Sequence, residues 1–370
     1  MTTPQCRKIY TCTPVAFHAD DWFFMRDTGL ISTTLRHAGI ESKTIMPLPW
    51  YDGDDREHTI RTEHKNLRSV KWWRNLGIDE LILYSWGDPR YTLIARAIRK
   101  AGIKLTIHLD FNGHEFTPIT KFPRRLRAYV INKLRALHLS YAHTITAPPT
   151  ADALLRNNPY YGPRIADKLH PFVTPVAPHF RYDGSTKAPI VLCIGNWTLS
   201  VKRPDFMRRT VTELTARHPE VQVHIYGKTD AACTDWHSAL PTSQKERIQL
   251  TGFVDNSNLP SIYNQASICL CTSESEGTHI SSAEALCCGC TIVTTSRPKQ
   301  LPMVHWYTTQ NSGRIAAEDT PQALATAIID ELLAWQHGER NPHTIAETWQ
   351  PLFLADLALT KLFNMTAPHA

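Results

Sequence analysis

Short β-branched runs alternate with amphipathic helical stretches along nearly the whole chain, and this alternation restricts the possible fold more than any other feature. In the first half "RKIYTCTPV", "SKTIMPL", "ELILYS", "KLTIHLD" and "HTITAP" have the length and composition of strands. Between them, "LISTTLRHAG" and "PRYTLIARAIRKAG" carry apolar residues at helical spacing and close on glycine. Strand, helix, strand at this spacing predicts right-handed βαβ units and a mostly parallel sheet covered on both faces. The stretch "VTPVAPHFRYDGSTKAP" interrupts the pattern with prolines, Gly184 and Ser185. The alternation then restarts with "IVLCIG", "VQVHIYG", "RIQLTGF", "SICLCT" and "TIVTT". A chain of 370 residues is long enough for two such domains, each with its own core. The pattern predicts an α/β domain over 1–175, a linker over 176–188, a second α/β domain over 189–340, and a closing segment over 341–370. In that segment "TIAETWQPLFLADLALTKLF" reads as one amphipathic helix packing back on the first domain. Open parallel sheets bind ligands at the carboxyl ends of their strands, so two facing sheets would leave a binding cleft between them.

Charge divides the chain in the same place. Residues 1–187 hold 27 Lys and Arg against 17 Asp and Glu, whereas the remainder holds 13 against 17. The first half is therefore expected to face something anionic, and charge alone admits nucleic acid, phosphorylated lipid or a membrane surface. Residues 116–151 concentrate this: Lys121, Arg124, Arg125, Arg127, Lys133 and Arg135, with no acidic residue. Leu126, Tyr129, Val130, Leu134 and Leu137 form an apolar stripe at helical spacing in the same stretch. The expectation is that this stripe packs on the first sheet and that the basic outer face rests on anionic lipid. No run of about 18 apolar residues spans a bilayer, and the N-terminus lacks the continuous apolar core of a signal peptide. Nine cysteines without a paired framework point to a reducing cytosol. The expected location is cytoplasmic, peripheral on the inner face of the membrane.

The chemistry concentrates in "SESEGTHISSAEALCCGC", residues 273 to 290. Two readings compete, a thiolate metal site and a pair of carboxylates aimed at a ligand. "SICLCT" ends a strand, "SESEG" turns, and "THISSAEALCC" reads as a helix closed by Gly289. Glu276 then stands at the strand–helix turn and Glu284 about two helical turns further on. The first turn offers the backbone N–H groups of Gly277, Thr278 and His279 to an anion such as phosphate. A carboxylate lower on the helix suits a ribose diol, and one at the turn suits the hydroxyls of an attached sugar. Structural zinc sites use Cys pairs on turns, which Cys269, Cys271, Cys287, Cys288 and Cys290 do not form. Small buried thiols between sheet and helix are the favoured alternative.

Glu-x₇-Glu between a strand and a helix, followed by "EALCCGCTIVTT", resembles the signature of retaining GT-B glycosyltransferases of the family-4-like group. "IVLCIGNWTLSVKRPDF", "VQVHIYG", "LTGFVDNSNLPSIYNQASICLCTS" and "NSGRIAAEDTPQALATAI" follow that family's order over most of 189–337. Over the first half the similarity is thinner, resting on "KLTIHLD", "TITAPPTADALL" and the alternation. The resemblance implies two Rossmann-like domains and sugar transfer from a nucleotide sugar to a glycan or glycolipid acceptor. Configuration would be retained, with no cofactor, no metal ion and no nucleic-acid partner. By position, Glu276 would hold the donor sugar, Glu284 the ribose, and Lys202 the diphosphate leaving group. Gly195, Asn196 and Arg203 would line the phosphate loop, and Gly252 and Val254 would offer backbone groups to the base. Gly277, Thr278, His279 and Ile280 would contribute the helix N-terminus. His108, at the end of a first-domain strand, would face the transferred sugar.

Several positions depart from the family pattern. Asn196 stands where the family usually has Arg, the loop before Lys202 is one residue longer, and His279 replaces a frequent Gly. The glycine pair expected after the first strand is absent, and Asp27, Thr28 and Gly29 would serve on the acceptor side instead. Trp22, Phe23 and Phe24 are expected to pack in the core rather than stack on a sugar. "YDGDDREH" contains an Asp-x-Asp but no flanking apolar strand, so it reads as an exposed loop. A nucleotide-sugar epimerase of the same architecture, and a member that binds nucleotide sugar or glycan without turnover, remain alternatives.

Overall fold

The computed structural model describes residues 7–110, 124–297 and 300–363. They form two compact units, one gathering the chain up to Ala177 together with the residues from Ala355 onward, the other running Pro178–Leu354. Each is built on a parallel α/β sheet.

The first sheet contains β1 (Ile9–Cys12), β2 (Thr44–Pro47), β3 (Thr59–Thr62), β4 (Glu80–Tyr84), β5 (Lys104–His108), β6 (Thr144–Ala147) and β7 (Leu169–Pro171). Their order is β3-β2-β1-β4-β5-β6-β7, every pairing parallel. The central strands β1 and β4 are buried along their whole length, which is why their sequences read as continuous runs. The edge strands β3 and β7 lack such runs and are not evident from the sequence. The second sheet repeats the plan with β8 (Ala188–Ile194), β9 (Gln222–Tyr226), β10 (Ile248–Gly252), β11 (Ala266–Cys271), β12 (Thr291–Thr294) and β13 (Gly313–Ile315). Its order is β10-β9-β8-β11-β12-β13, again parallel throughout. Val191, Cys193, Val223, Ile268, Leu270 and Val293 from these strands form a core with Met207, Val211 and Ile328 from the helices Pro204–Arg217 and Pro321–Gln336. In both sheets the chain first builds outward to one side and then returns to the other. The connections therefore diverge between β1 and β4, and between β8 and β11. Such switch points open a crevice at the carboxyl ends of the strands.

Most of the segment expected to be a linker belongs to the second unit. Phe180 is fully buried near the Tyr263 ring, Tyr182 N donates to Cys287 O at 3.1 Å, and Lys187 Nζ donates to the carbonyls of Tyr263 and Cys288. The closing segment is two helices rather than one. Pro342–Phe353 stays with the second unit, where the Gln350 amide donates to Cys287 O at 2.9 Å. Ala355–Phe363 packs against the helix Asp27–His37 of the first unit, with Leu359 and Phe363 in its core. The extended residue Leu354 separates them, and Ala355 N donates to Val176 O. Each helix buries its own apolar face in a different unit, which a single periodic pattern conceals.

The helix Arg124–Ser140 reverses the expected packing: Leu126, Tyr129, Val130, Leu134 and Leu137 are all exposed. Lys121 and the Arg125 side chain lie outside the described part of the structure. No helix among the described residues is long and apolar enough to cross a membrane.

Candidate functional site

The second switch point gathers the chemistry predicted from the sequence. The loop after β8 tightens into a short 3₁₀ turn over Ser200–Lys202, followed by Arg203 in a left-handed conformation, φ 55°. The loop after β11 is stitched to it. Glu274 N donates to Val201 O at 2.7 Å, and the Thr272 hydroxyl donates to Lys202 O at 2.8 Å. These backbone contacts bring Lys202 and Glu276 together, with Lys202 Nζ 2.6 Å from Glu276 Oε1. The Ser273 hydroxyl donates to the same oxygen at 2.7 Å. Oε2 has no hydrogen-bond partner among the described residues and remains open to a ligand.

Burial opposes ionisation of Glu276, yet His279, the Lys202 ammonium and the Ser273 hydroxyl hold its pKa below its ordinary value. His279 is itself neutral, because burial and Lys202 push it down to about 3, so the positive charge responsible belongs to Lys202. Glu276 is thus a carboxylate at neutral pH. A diphosphate arriving here would meet a cation already held in place by a carboxylate with one free oxygen.

The helix after this turn is shorter than its sequence suggests. It runs Ile280–Cys287 with His279 as its N-cap, so Thr278 and His279 precede it and Ile280 opens the turn. The N–H groups of Ile280 and Ser281 lie ahead of the helical ladder, whereas Gly277 belongs to the preceding loop. His279 is buried, with Nδ1 2.7 Å from Ser282 Oγ, so its side chain packs inward and does not cap the helix. The Thr278 hydroxyl is buried and unpartnered. Glu284 is buried on the helix and accepts a hydrogen bond from the Tyr263 hydroxyl at 2.8 Å through Oε2. Oε1 has no partner among the described residues. Burial pushes the Glu284 pKa up to about 8, with the Tyr263 hydroxyl acting in the opposite direction.

Other expected donor contacts are occupied by the protein itself. Asn196 Oδ1 accepts from Thr198 N at 3.2 Å and from its hydroxyl at 2.7 Å, closing a turn of the loop. Arg203 is paired with both oxygens of Asp319, at 2.7 and 3.3 Å, and lies over the Phe206 ring. Arg297 shares Asp319. Arg203 therefore braces the loop in this structure rather than presenting a free guanidinium to phosphate. Gly252 O accepts from Gly227 N at 2.6 Å, while Val254 is half-buried beside it and leads into the next loop.

Sequence reasoning missed the residue that sets this loop's approach. A Cβ at Gly227 would lie 1.9 Å from Gly195 O, and its φ is 107°, so only glycine lets β9 end against the loop after β8. Its signal was a glycine directly after the run "VQVHIY". Tyr263, Ser273 and Asp319 carried no comparable signal.

On the first unit, the expected residues lie mainly in packing. Thr28 is buried and its hydroxyl bonds that of Thr13 at 2.9 Å. A Cβ at Gly29 would fall 2.4 Å from Phe23 O, so Gly29 seats its helix rather than a ligand. Asp27 alone of the three keeps a half-exposed side chain, at φ 51°. Phe23 is buried, Phe24 lies edge-on to it, and Trp22 is exposed with Arg26 over its ring. His108 is 1% exposed, enclosed by Tyr84 and Phe172, with Nδ1 2.9 Å from the Thr146 hydroxyl. Burial pushes it down to about 3, and the ring is neutral. The histidine expected to face a sugar is therefore inside its unit, although its Nε2 and the Tyr84 hydroxyl remain buried without partners. The three non-glycine residues with positive φ among the described residues, Asp27, Trp86 and Arg203, follow β1, β4 and β8. These are switch-point strands, and backbone strain commonly collects beside ligand sites.

The Asp-x-Asp loop is not exposed at Asp54. That side chain is fully buried, pairs with Arg61 and accepts from Ala19 N and Tyr51 N. Among the described residues no group of three or more His, Cys, Asp or Glu is arranged to hold a metal ion. Cys287, Cys288 and Cys290 are buried thiols not joined in disulfides, and Cys290 Sγ donates to Tyr263 O.

Residues 188–333 match the family described as Glycosyl transferases group 1. No curated protein matches the sequence. Among solved structures the chain is similar to a sucrose-phosphate synthase from Thermosynechococcus elongatus, at TM-score 0.63 and 16% identity, covering 97% of this chain and 98% of that one. It is similar to Anabaena Alr3699/HepE in complex with UDP, at TM-score 0.67 and 12% identity, covering 96% and 98%. It is also similar to the lipopolysaccharide outer core galactosyltransferase WaaB, at TM-score 0.63 and 16% identity, covering 96% and 98%. At these identities the likeness establishes the fold, which is that of GT-B glycosyltransferases.

Proposed function

Because residues 188–333 belong to the glycosyl transferases group 1 family, we propose that the protein transfers a sugar from a nucleotide sugar to a glycan or glycolipid acceptor. The observation that carries this reading is the Lys202–Glu276 pair at the second switch point, with Glu284 Oε1 unpartnered on the helix that follows. UDP in the complex of the similar Anabaena protein supports a nucleoside diphosphate here.

Cleaving the anomeric bond leaves an oxocarbenium-like sugar and a diphosphate that has gained negative charge. Lys202 lies where that charge develops, and the free N–H groups of Ile280 and Ser281 add the positive end of a helix. Glu276 plays two parts: Oε1 fixes the ammonium, and Oε2 accepts from sugar hydroxyls. Glu284 Oε1 accepts from the ribose. A fixed cation at the leaving group makes a metal ion unnecessary. Glu276 is held by Lys202 and Glu284 is assigned to the ribose, so neither is left as a covalent nucleophile, which supports attack from the face the diphosphate leaves and retention of configuration. The work would be cytoplasmic, peripheral at the inner face of a membrane.

The test is release of nucleoside diphosphate from a panel of nucleotide sugars, with and without acceptor extracts. Acceptor-dependent release with incorporation of sugar is the expected result. Release or isomerisation indifferent to acceptor would point to an epimerase. Binding without release would point to a member that has lost turnover, for which Asn196 in place of the usual Arg is the relevant feature.

A further inference from the structure

The helix Arg124–Ser140 faces solvent with the side chains that ordinarily face a core. Leu126 is 64% exposed, Val130 49%, Leu134 46% and Leu137 46%, in a row along one side, with Tyr129 beside them. The buried side consists of Asn132, Ala136, His138 and Leu139, of which Ala136 and Leu139 join the core of the first unit. Polar contacts anchor that side, with Ser85 Oγ 2.8 Å from His138 Nε2 and Arg135 Nε donating to Gly87 O at 3.1 Å. The helix is therefore fixed to its unit by Ala136, Leu139 and these polar contacts, and it leaves the second apolar row, Leu126, Val130, Leu134 and Leu137, outward. The cations flank this row. Arg124, Arg127 and Lys133 are exposed, and the Lys133 ammonium lies 5.5 Å from the Tyr129 ring centre.

We propose that this face docks on an anionic membrane surface. The helix would lie in the interface plane, with Leu126, Val130, Leu134 and Leu137 at the acyl boundary and Arg124, Arg127 and Lys133 at the level of the lipid phosphates. Charge selects this occupant over a second copy of the chain. Two copies meeting here would oppose cation to cation, and residues 116–151 contain no Asp or Glu to offset them. A solvated cationic face alone would need no leucine row, and an ordinary amphipathic helix would bury it. The proposal rests on the membrane-side reading of the acceptor, but vesicle binding is measured without turnover, so either can fail alone.

The test is flotation of the full chain with vesicles of phosphatidylcholine, with and without phosphatidylglycerol. Binding is expected only where the anionic lipid is present, and weakened by salt. Each basic residue at such a surface contributes about fivefold in partitioning, so Arg124→Ala, Arg127→Ala and Lys133→Ala together should lower it on the order of a hundredfold. Val130→Asp with Leu134→Asp should abolish it, and both positions are exposed, so the fold should survive by circular dichroism. A Leu134→Trp chain should blue-shift its fluorescence on adding the anionic vesicles. Donor turnover in solution should be unchanged in all of these variants. Equal binding to neutral vesicles, no binding at all, or a concentration-dependent dimer that Val130→Asp with Leu134→Asp dissolves would overturn the proposal.

Discussion

Glu284→Gln should strengthen the fold while weakening its ligand, with both effects set by pH. Glu284 is buried, and burial pushes its pKa from the usual 4.5 up to about 8. The unfolded chain therefore loses this proton near pH 4.5, while the folded chain keeps it until near pH 8. Between those values the native state holds the extra proton, so stability falls as pH rises. At about 1.4 kcal/mol for each pH unit of the window, the cost approaches about 4 kcal/mol near pH 8. Glutamine does not ionise and still accepts from the Tyr263 hydroxyl. The variant should match wild type near pH 5 and exceed it by about 3 kcal/mol near pH 8, or about 6–12 °C in melting temperature. Binding should move the other way. A ribose diol donating two hydrogen bonds needs the carboxylate, so nucleoside diphosphate binding to wild type should release a proton near pH 7. Its affinity should then rise toward pH 8 and level off above it. The variant should lack that rise and bind more weakly at pH 8 by about 1.5–3 kcal/mol. Calorimetry in buffers of different ionisation enthalpy counts the proton, and the variant reports the ligand's own ionisation. If the variant melts lower than wild type at pH 8 and shows the same affinity profile, the argument fails.

Glu276→Gln should lower turnover far more than nucleoside diphosphate affinity, because Oε2 is the oxygen proposed to accept from the sugar hydroxyls; steady-state kinetics beside calorimetry separate the two. Cys287→Ala with Cys288→Ala should cost only packing, up to about 1–2 kcal/mol, with activity kept and insensitive to EDTA. One zinc per chain by elemental analysis, lost together with activity, would instead make these thiols ligands. Gly227→Ala should destabilise by about 2–4 kcal/mol in urea unfolding and weaken nucleotide binding, since the new methyl meets the Gly195 carbonyl. Wild-type stability in that variant would mean the phosphate loop is looser than its geometry indicates.

The two parallel sheets were legible because β1, β4 and β11 are buried along their whole length and β8 is buried over Val191, Leu192 and Cys193, so these strands read as largely apolar runs. The Glu-x₇-Glu spacing was legible because one glutamate stands in the turn between a strand and a helix and the other lies along that helix. What sequence reading could not reach were relations between distant residues. Nothing local marks Asp319 as the partner of Arg203, 116 positions away, or Tyr263 as the donor to Glu284. Thr28 and Gly29 lie in the first turn of the helix Asp27–His37, where the position of the Phe23 carbonyl makes Gly29 serve packing. In the helix Arg124–Ser140, periodicity identified the apolar side correctly and misassigned its direction. Ser85 and Gly87, which hold His138 and Arg135 on the inward side, lie in the loop after β4.

The central claim is that Lys202 receives a nucleoside diphosphate without help from a metal ion. Calorimetric titration of UDP, GDP and ADP into wild type and Lys202→Ala, in EDTA, tests it most directly. One of these diphosphates should bind at one per chain. Loss of the charged partner should weaken it by about 1.5–3 kcal/mol, on the order of ten- to a hundredfold. No binding by any of the three, binding that appears only with a divalent metal, or binding unchanged in Lys202→Ala would contradict the account.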